Sequence, residues 1–255
     1  MADRLDGRVA LVTGGGRGIG RAIAVGLAAA AGARVAVLAR SAGELEQTVK
    51  LAGDRGGEAL ALPADVSDPA QVAAVLDRIG ERWGAVEVLV NNAAVVWPLE
   101  ASATVDPDEW AAAIGINVTA AARLSFALLP AMLRQQWGRI VNVSSGIAAH
   151  PAGMIRANAY ATSKAALEAH SANLAAELDG TGVTVNVFRP GAVDTAMQAW
   201  IRGQAPGQIG AELHDRFTRN YEQGTLLTPE QSARSLLTRL HDDATGQIWN
   251  ASGTT

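Results

Sequence analysis

Residues 8–31 read RVALVTGGGRGIGRAIAVGLAAAA and divide into three parts. The first part, 8–13, is short, apolar and rich in valine, which predicts a strand buried on both faces. Glycines crowd the next part, 14–20, and the stretch 18–31 has the length and alanine content of a helix. A strand that turns through glycines directly into a helix predicts the first unit of an α/β domain.

The alternation of strand and helix continues along the chain. Strands are predicted from short β-branched runs at 8–13, 34–38, 58–62, 86–90, 139–143 and 183–188. Helices are predicted between them from Ala- and Leu-rich segments at 18–31, 43–52, 68–83, 108–134 and 159–178. Because this order requires right-handed crossovers, it predicts one doubly wound parallel sheet with helices on both faces. No linker divides the chain, so the sequence predicts a single α/β domain over 1–255.

The pattern weakens after the sixth strand. Residues 191–226 contain six glycines or prolines and mixed charges, without a sustained period. We expect a long loop there, which in a compact domain is either functional, such as a lid over a site, or disordered. A helix at 228–240 and a short strand at 246–250 are predicted to complete the sheet.

Composition excludes several classes of protein. About half of the 255 residues are apolar, 18% are charged and the net charge is −4, which describes a globular chain rather than a disordered one. The chain has no cysteine, so disulfides, thiolate metal sites and a cysteine nucleophile are excluded. It lacks a basic run, a long uninterrupted apolar run and a secretory start, so we expect a cytoplasmic protein with no nucleic-acid, membrane or metal partner.

The glycines of the first turn indicate a phosphate site. Gly14, Gly18 and Gly20 let the backbone pass close to a pyrophosphate, while the following helix points its N–H groups and positive dipole end at it. A glycine-rich turn alone is a weak signal, and its position between a strand and a helix makes it a dinucleotide-binding prediction.

The end of the second strand bears on the choice of cofactor. An NAD enzyme places an acid there against the ribose 2′-hydroxyl, but this chain has Arg40 and Ser41. Arg40 offers a planar fork of donors suited to a phosphate, and Arg17 in the glycine turn adds a second cation. These residues favour NADP(H) over NAD(H), and the alternative is that both arginines are ordinary solvated side chains.

The segment YATSK, 160–164, carries the strongest chemical signal. Tyr160 and Lys164 lie at i and i+4 of a predicted helix, so their side chains share one face. An ammonium beside a tyrosine stabilises the phenolate, so we expect the pKa of Tyr160 to be lowered. Only two tyrosines and two lysines occur in the chain, so this spacing is hard to obtain by chance.

Two serines, Ser144 and Ser145, follow the predicted strand 139–143. The carboxyl end of a parallel strand is where ligands of such sheets bind. A serine hydroxyl at that position can hydrogen-bond a substrate carbonyl and its developing oxyanion.

The ordered motifs TGGGRGIG, NNAA, NVSS, YATSK and RPGAV give the chain a resemblance to the short-chain dehydrogenase/reductase family over essentially its whole length. Within that family it is most similar to bacterial 3-oxoacyl-carrier-protein reductases and related ketoreductases. The resemblance implies a Rossmann-type fold, and it selects Ser145 over Ser144 because the second serine of the pair matches the family motif.

The resemblance also implies site residues. The implied catalytic set is Asn117, Ser145, Tyr160 and Lys164, with Asn117 helping to hold the water through which the proton is replaced. Asp65 and Val66 are implied to contact adenine. The residues implied to form part of the cofactor floor follow the fourth predicted strand and are Asn91, Asn92 and Ala93. The residues implied to hold the nicotinamide carboxamide follow the sixth and are Pro190, Gly191, Val193 and Thr195. Together with the turn and the arginines, the expected cofactor-binding residues are Gly14, Gly16, Arg17, Gly18, Ile19, Gly20, Arg40, Ser41, Asp65, Val66, Asn91, Asn92, Ala93, Tyr160, Lys164, Pro190, Gly191, Val193 and Thr195.

Two departures from the family pattern concern the pocket. The usual NNAG is NNAA at 91–94, a small change beside the cofactor. The stretch between Ser145 and Tyr160 is somewhat longer than is common in the family, so we expect the loop 146–158 to reshape the substrate pocket.

The resulting hypothesis is an NADP(H)-dependent carbonyl reductase or alcohol dehydrogenase that acts on a small molecule and forms a homo-oligomer, a tetramer or a dimer. One alternative is an NAD-dependent dehydrogenase of a diol, a sugar or a hydroxysteroid. Another is a non-catalytic NADP(H)-sensing protein, which would have no need of the serine, tyrosine and lysine together.

Overall fold

The computed structural model describes residues 5–251, so the two ends of the predicted domain, 1–4 and 252–255, lie outside it. The described strands form one parallel sheet in the order β3-β2-β1-β4-β5-β6-β7. They are β1 (Val9–Thr13), β2 (Arg34–Ala39), β3 (Glu58–Pro63), β4 (Val88–Asn91), β5 (Gly138–Val143), β6 (Val183–Arg189) and β7 (Ile248–Asn250). All seven strands were predicted from the sequence, with ends that differ by at most two residues.

Helices connect the strands as the alternation predicted. They are α1 (Gly18–Ala30), α2 (Ala42–Gly53), α3 (Pro69–Trp83), α4 (Pro107–Ile114), α5 (Ala120–Gln135), α6 (Asn158–Glu177), α7 (Ala196–Arg202), α8 (Pro206–Ile209), α9 (Ala211–Glu222) and α10 (Pro229–Leu237). Several begin at a side-chain cap, and α3 shows the reason clearly. Asp68 accepts hydrogen bonds from the N–H groups of Ala70 and Gln71, and Pro69 occupies the first helical position.

The hydrophobic core lies on both faces of the sheet. On one face, Ile23 and Leu27 of α1 and Leu236 of α10 pack in one apolar cluster with the strands. On the other face, Ile79 of α3 and Leu124 of α5 belong to a second cluster. Two buried faces explain why the strands are almost continuously apolar, and they confirm the doubly wound, Rossmann-type fold.

The helix expected at 108–134 is continuous but irregular. Between α4 and α5, residues 115–119 form a π-helical turn, in which the Ala120 N–H donates to the carbonyl of Gly115. Ahead of it, the indole N–H of Trp110 donates to Asn158 Oδ1 at 2.9 Å and ties α4 to α6. By length and apolar composition the stretch Pro107–Gln135 also reaches the size of a membrane span, as core helices do. The buried residues of α5, Leu124 among them, pack against the sheet.

The expectation of a long irregular loop at 191–226 is wrong. This segment contains the three helices α7, α8 and α9. Each of them contributes one buried apolar side chain, Ile201, Ile209 and Leu213, to a third apolar cluster. The helices are too short for a sustained period to be visible in the sequence, and their glycines and prolines stand at helix ends.

Candidate active site

The strand order places a cleft between β1 and β4. From β1 the chain winds outward through β2 and β3, and from β4 it winds to the opposite edge. The glycine turn follows β1 and the segment 92–95 follows β4, so both meet at the carboxyl ends of these two strands. Parallel sheets bind ligands at such a reversal of winding.

Close backbone contacts shape the glycine turn. A Cβ on Gly20 would lie 2.3 Å from the carbonyl oxygen of Gly14, so only glycine fits there. Gly14 has a φ of +65°, and a Cβ on it would lie 2.8 Å from Asn92 Nδ2. The Asn92 amide in turn donates to the carbonyl of Thr13 at 2.9 Å. The turn is therefore locked onto the segment after β4.

Thr13 was not predicted from the sequence and holds the same junction. Its side chain is buried, and its hydroxyl oxygen accepts hydrogen bonds from the N–H groups of Asn92 and Ala93, both at 3.0 Å. A threonine at the end of a strand is common, so the sequence alone does not indicate this role. The predicted cofactor-floor residues Asn92 and Ala93 are thus fixed by β1.

Helix α1 begins in a way that fits a bound pyrophosphate. No side chain caps its N-terminus, where Arg17 is extended, whereas α2 is capped by Ser41 and α3 by Asp68. The first-turn N–H groups of α1, in Gly18 and the following residues, thus lack a side-chain acceptor, and an anion would supply one. Gly16 and Ile19, also predicted at the cofactor, lie in this same turn and first helical turn.

The two predicted arginines, Arg17 and Arg40, are exposed. The Arg17 guanidinium lies 3.4 Å from Glu44 in an exposed pair. Asp65 accepts hydrogen bonds from the hydroxyl and N–H groups of Ser67, which lower the pKa of its carboxyl, and Arg40 lowers it further. Arg40 therefore lies near Asp65. The predicted contact of Asp65 and its partly exposed neighbour Val66 with adenine stays a prediction.

The segment after β6 approaches the glycine turn. A Cβ on Gly18 would lie 3.3 Å from Thr195 Cγ2, so Thr195 packs over the start of α1. Gly191 has a φ of +78°, and Val193 forms a parallel bridge with Leu227. Pro190, which precedes this turn, accepts a hydrogen bond from Ser232 at its carbonyl. Thr195 is thus placed against the glycine turn, and the contact of all four residues with the nicotinamide carboxamide stays a prediction.

Tyr160 and Ser145 come together at the end of β5. Tyr160 is buried, which raises the pKa of its phenol, and a hydrogen bond with Ser145 acts in the opposite direction. The expectation that the pKa of Tyr160 is lowered is therefore wrong for the protein by itself, because burial outweighs the neighbouring groups. Ser145 is only partly buried, and its Oγ accepts a weak hydrogen bond from the N–H of Ile147 at 3.4 Å.

Lys164 lies one turn beyond Tyr160 on α6. Its ammonium nitrogen is 5.7 Å from the centre of the Tyr160 ring and donates to the carbonyl of Val143 at 2.8 Å. Burial lowers the pKa of Lys164 to about 8, and Glu168 acts against that change. The pair predicted from the i, i+4 spacing is therefore assembled, with the lysine anchored on β5.

Asn117 lies in the π-helical turn and acts as a clamp. Its side-chain amide donates to the carbonyl of Val95 at 2.8 Å and to Ser163 Oγ at 2.9 Å, and its Oδ1 accepts from the N–H of Val95 at 2.8 Å. Both amide hydrogens are thus bonded to protein. The expected role of Asn117 in holding a water stays a prediction, and Ser163 is a further site residue that the sequence did not indicate.

The two serines after β5 have different surroundings. Ser144 is buried, and its hydroxyl donates to Glu168 Oε1 at 2.7 Å, whereas Ser145 faces Tyr160. This difference agrees with the selection of Ser145. Asn91, predicted in the cofactor floor, turns its side chain into the core, where it donates to Asn142 at 2.8 Å. Its side chain therefore cannot contribute to the floor.

The family model for short chain dehydrogenases matches residues 8–205. This chain belongs to the short-chain dehydrogenase family. Among curated relatives, a short chain dehydrogenase of Pseudocercospora fijiensis is 37% identical over 77% of this chain, which covers 63% of the relative's length. The 3-oxoacyl-[acyl-carrier-protein] reductase of Escherichia coli is 38% identical over 80% of this chain and 85% of its own.

Solved short-chain dehydrogenase structures match the whole fold. A putative NAD(P)-dependent gluconate 5-dehydrogenase from Beutenbergia cavernae, with bound NADP, has a TM-score of 0.84 at 34% identity and covers 99% of this chain and 98% of its own. An NAD⁺-bound xylitol dehydrogenase has a TM-score of 0.86 at 26% identity and covers 98% and 100%. The chain is therefore an oxidoreductase of this family with the fold that binds a nicotinamide cofactor.

A groove runs along the face of α6 opposite Tyr160 and Lys164. Its volume is about 630 Å³, and small side chains of α6, including Ala165 and Ala169, form its floor. Met154 and the largely exposed Ile155 line one side. Among residues 5–251, no group of three His, Asp or Glu side chains is placed to hold a metal ion.

Proposed function

We propose that this protein is an NADP(H)-dependent carbonyl reductase that also runs the reverse alcohol oxidation, with a ketone or a 3-oxoacyl thioester as substrate. The observation that carries the proposal is the placement of the buried Tyr160 beside Ser145 at the end of β5, with the ammonium of the buried Lys164 5.7 Å from the centre of the Tyr160 ring. Two hydroxyl donors side by side next to an ammonium are suited to a short-lived oxyanion.

The cofactor supplies the hydride when it is bound, and the chain's own residues supply the rest. The Ser145 hydroxyl orients the substrate carbonyl. Because burial raises the pKa of Tyr160, its phenol keeps its proton at neutral pH and acts as the acid that protonates the forming alkoxide.

Lys164 stabilises the phenolate that remains after the proton has left. The carbonyl of Val143 accepts a hydrogen bond from its ammonium, so the lysine side chain is already fixed in one conformation beside the tyrosine. The pKa of Lys164 is about 8, so the lysine is cationic below that pH and loses this role above it. Asn117 is proposed to help replace the proton through a bound water.

The preference for NADP(H) rests on charge at the end of β2. Arg17 and Arg40 are exposed, and Arg40 lies where an NAD enzyme would present a carboxylate. The adenine contacts proposed for Asp65 and Val66 place the ribose 2′-phosphate next to Arg40. The NADP-bound relative from Beutenbergia cavernae supports this preference.

An NAD-dependent dehydrogenase of a sugar or a diol is the second candidate. The similarity to an NAD⁺-bound xylitol dehydrogenase favours it. Competition between NADP and NAD for the protein distinguishes the two candidates. A non-catalytic sensor of NADP(H) is a third candidate, and it predicts tight binding without turnover.

The proposal also includes a homo-oligomer, a dimer or a tetramer, in the cytoplasm, where other enzymes recycle the cofactor. Phe126 and Leu133 leave apolar surface exposed on α5, and the groove along α6 lies close by, since the Phe126 ring packs edge-on against His170 of α6. Apolar surface of this kind fits a second copy of the chain. Light scattering after gel filtration measures the assembly.

The test is oxidation of NADPH and of NADH against ketones, β-ketoesters and acyl thioesters, with the unmodified protein and Tyr160→Phe. Loss of a general acid reduces kcat by about 10² to 10⁴. The matched control is Tyr221→Phe, because Tyr221 is the second tyrosine of the chain and is half-exposed. We expect turnover with NADPH that is lost in Tyr160→Phe and kept in Tyr221→Phe.

Other outcomes have definite meanings. Equal activity of Tyr160→Phe and the unmodified protein contradicts the assignment of the acid. A kcat/KM that is higher with NADH than with NADPH favours the NAD-dependent dehydrogenase. Tight NADPH binding without turnover on any substrate favours the non-catalytic sensor.

A further inference from the structure

A mostly buried ion pair joins α6 to the end of β6, one turn of α6 beyond Lys164. The Arg189 guanidinium donates to both oxygens of Glu168, Nε to Oε1 at 2.8 Å and Nη2 to Oε2 at 2.7 Å. The two side chains are 17% and 13% exposed. The Ser144 hydroxyl donates to the same Oε1 at 2.7 Å, so the carboxylate of Glu168 accepts three hydrogen bonds.

The three partners belong to the elements that form the site. Glu168 follows Lys164 by one turn of α6, Ser144 precedes Ser145 after β5, and Arg189 ends β6 next to Pro190. Lys164 itself donates to the carbonyl of Val143. The lysine and the glutamate of α6 therefore bind two successive residues, 143 and 144, at the end of β5.

Stability alone is a weak reason for such a pair. Removal of two charged groups from water costs nearly as much as their attraction returns, so a buried ion pair is seldom a large net stabiliser. Its bidentate geometry fixes distance and angle, which is what a reacting centre requires. The carboxylate also places a negative charge on the Lys164 side of α6.

We propose that Glu168 is a positioning residue of the reacting centre, which holds the end of β5 and the end of β6 against α6 and supports the charge of Lys164. The proposal rests on the proposed function, because it assigns Lys164 to the stabilisation of the Tyr160 phenolate. Glu168 acts through Lys164, Ser144 and Arg189, and it does not contact substrate.

The charges around Lys164 determine the direction of the expected effect. Tyr160 faces the ammonium from the preceding turn of α6, Glu168 from the following turn, and Arg189 lies behind Glu168 on β6. Burial lowers the pKa of Lys164 to about 8 and Glu168 raises it. Without that carboxylate the pKa of Lys164 falls further, and the ammonium is lost at a lower pH.

The chain offers a direct measurement, because Lys50 and Lys164 are its only lysines. Isotope labelling of lysine side chains at Cε therefore gives two NMR signals, and the exposed Lys50 on α2 is the internal reference. The variants are Glu168→Gln, which removes the charge and keeps the shape, and Glu168→Asp, which keeps the charge. The matched control is Glu177→Gln, at the exposed end of the same helix.

We expect the Lys164 signal of Glu168→Gln to titrate about one pH unit lower than that of the unmodified protein. Glu168→Asp and Glu177→Gln should titrate close to the unmodified protein. Since Glu168→Gln leaves Arg189 buried without its partner, the double variant with Arg189→Gln is measured beside it, and it should shift in the same direction by less. An unchanged Lys164 titration in both charge-removing variants overturns the proposal.

Kinetics provide the second readout. In Glu168→Gln we expect kcat to fall about tenfold, and the alkaline decline of kcat/KM to move to lower pH together with the Lys164 signal. Absence of turnover in the unmodified protein contradicts the proposed function and leaves the titration to decide the role of Glu168. A tenfold loss of kcat with an unmoved alkaline decline identifies a purely structural residue and also overturns the proposal.

Discussion

The turn 13–20 and the segment 191–226 touch where Thr195 packs against Gly18, but they are held in different ways. Backbone contacts hold the turn, where a Cβ on Gly20 would lie 2.3 Å from a carbonyl oxygen. The segment is held by side chains. Arg156 donates to the carbonyls of Gly207 and Gln208, both at 2.6 Å, and the segment's apolar residues pack in the small third cluster.

This difference separates the two tasks of the cleft. Glycine alone meets the backbone contacts at Gly14 and Gly20, so these positions of the turn tolerate no side chain, which suits a cofactor that many enzymes share. Side-chain contacts can be exchanged one by one without disturbance of the sheet. We therefore expect a change of substrate to be accommodated in the segment 191–226.

The largest effect is expected in the turn, from Gly20→Ala. The added methyl group collides with the Gly14 carbonyl and the Asn92 amide, so the free energy of unfolding should fall by about 3 kcal/mol and NADPH binding should be lost. Thermal unfolding and NADPH fluorescence titration measure both quantities.

Gly43→Ala is the control for this substitution. Gly43 lies in α2, and no atom lies within 4 Å of the place that an added methyl group would take, so stability should change by less than about 1 kcal/mol. Normal NADPH affinity in Gly20→Ala would show that the turn is more adaptable than the contacts indicate, and the contrast with 191–226 would disappear.

An intermediate effect is expected for Arg40→Ala. A charge-assisted bond to phosphate contributes about 1.5–3 kcal/mol, so the Kd for NADPH should rise about 10- to 100-fold while the Kd for NADH stays unchanged. Arg55→Ala serves as control, because Arg55 is exposed just before β3, at the opposite end of the strands. An equal rise in the Kd values for NADPH and NADH would show that Arg40 does not bind the 2′-phosphate.

The smallest effect is expected in the segment, from Arg156→Gln. This change removes the fork to Gly207 and Gln208, so KM for substrate should rise severalfold, while the Kd for NADPH and the melting temperature stay nearly constant. Arg219→Gln, on the exposed side of α9, should change neither constant. A parallel loss of NADPH affinity in Arg156→Gln would show that the turn 13–20 and the segment 191–226 do not act separately.

Local signals account for what the sequence predicted. The strands, the glycine turn and the Tyr160 and Lys164 pair depend on residues within a few positions of one another, and the structure has all of them. The helices of 191–226 were missed because they are short and because a distant cluster with Val96 and Leu99 stabilises them.

Burial and long-range contacts account for the rest. The direction of the Tyr160 pKa depends on packing around the phenol, which no spacing records. Thr13 and Asn117 act through partners 80 and 22 residues away along the chain. The position of Glu168 on the same helix face as Lys164 follows from their i, i+4 spacing, but its ion pair with Arg189 does not follow from the sequence.

The π-helical turn at 115–119 also has a consequence for insertions and deletions. One residue of an α-helix corresponds to about 100° of rotation about the axis. Deletion of a single residue between α4 and α5 would therefore swing the indole of Trp110 around the axis and away from Asn158, while α5 kept its phase on the sheet. The π-helical turn therefore determines the rotation of α4, whose Trp110 bonds the start of α6, relative to α5, which packs on the sheet.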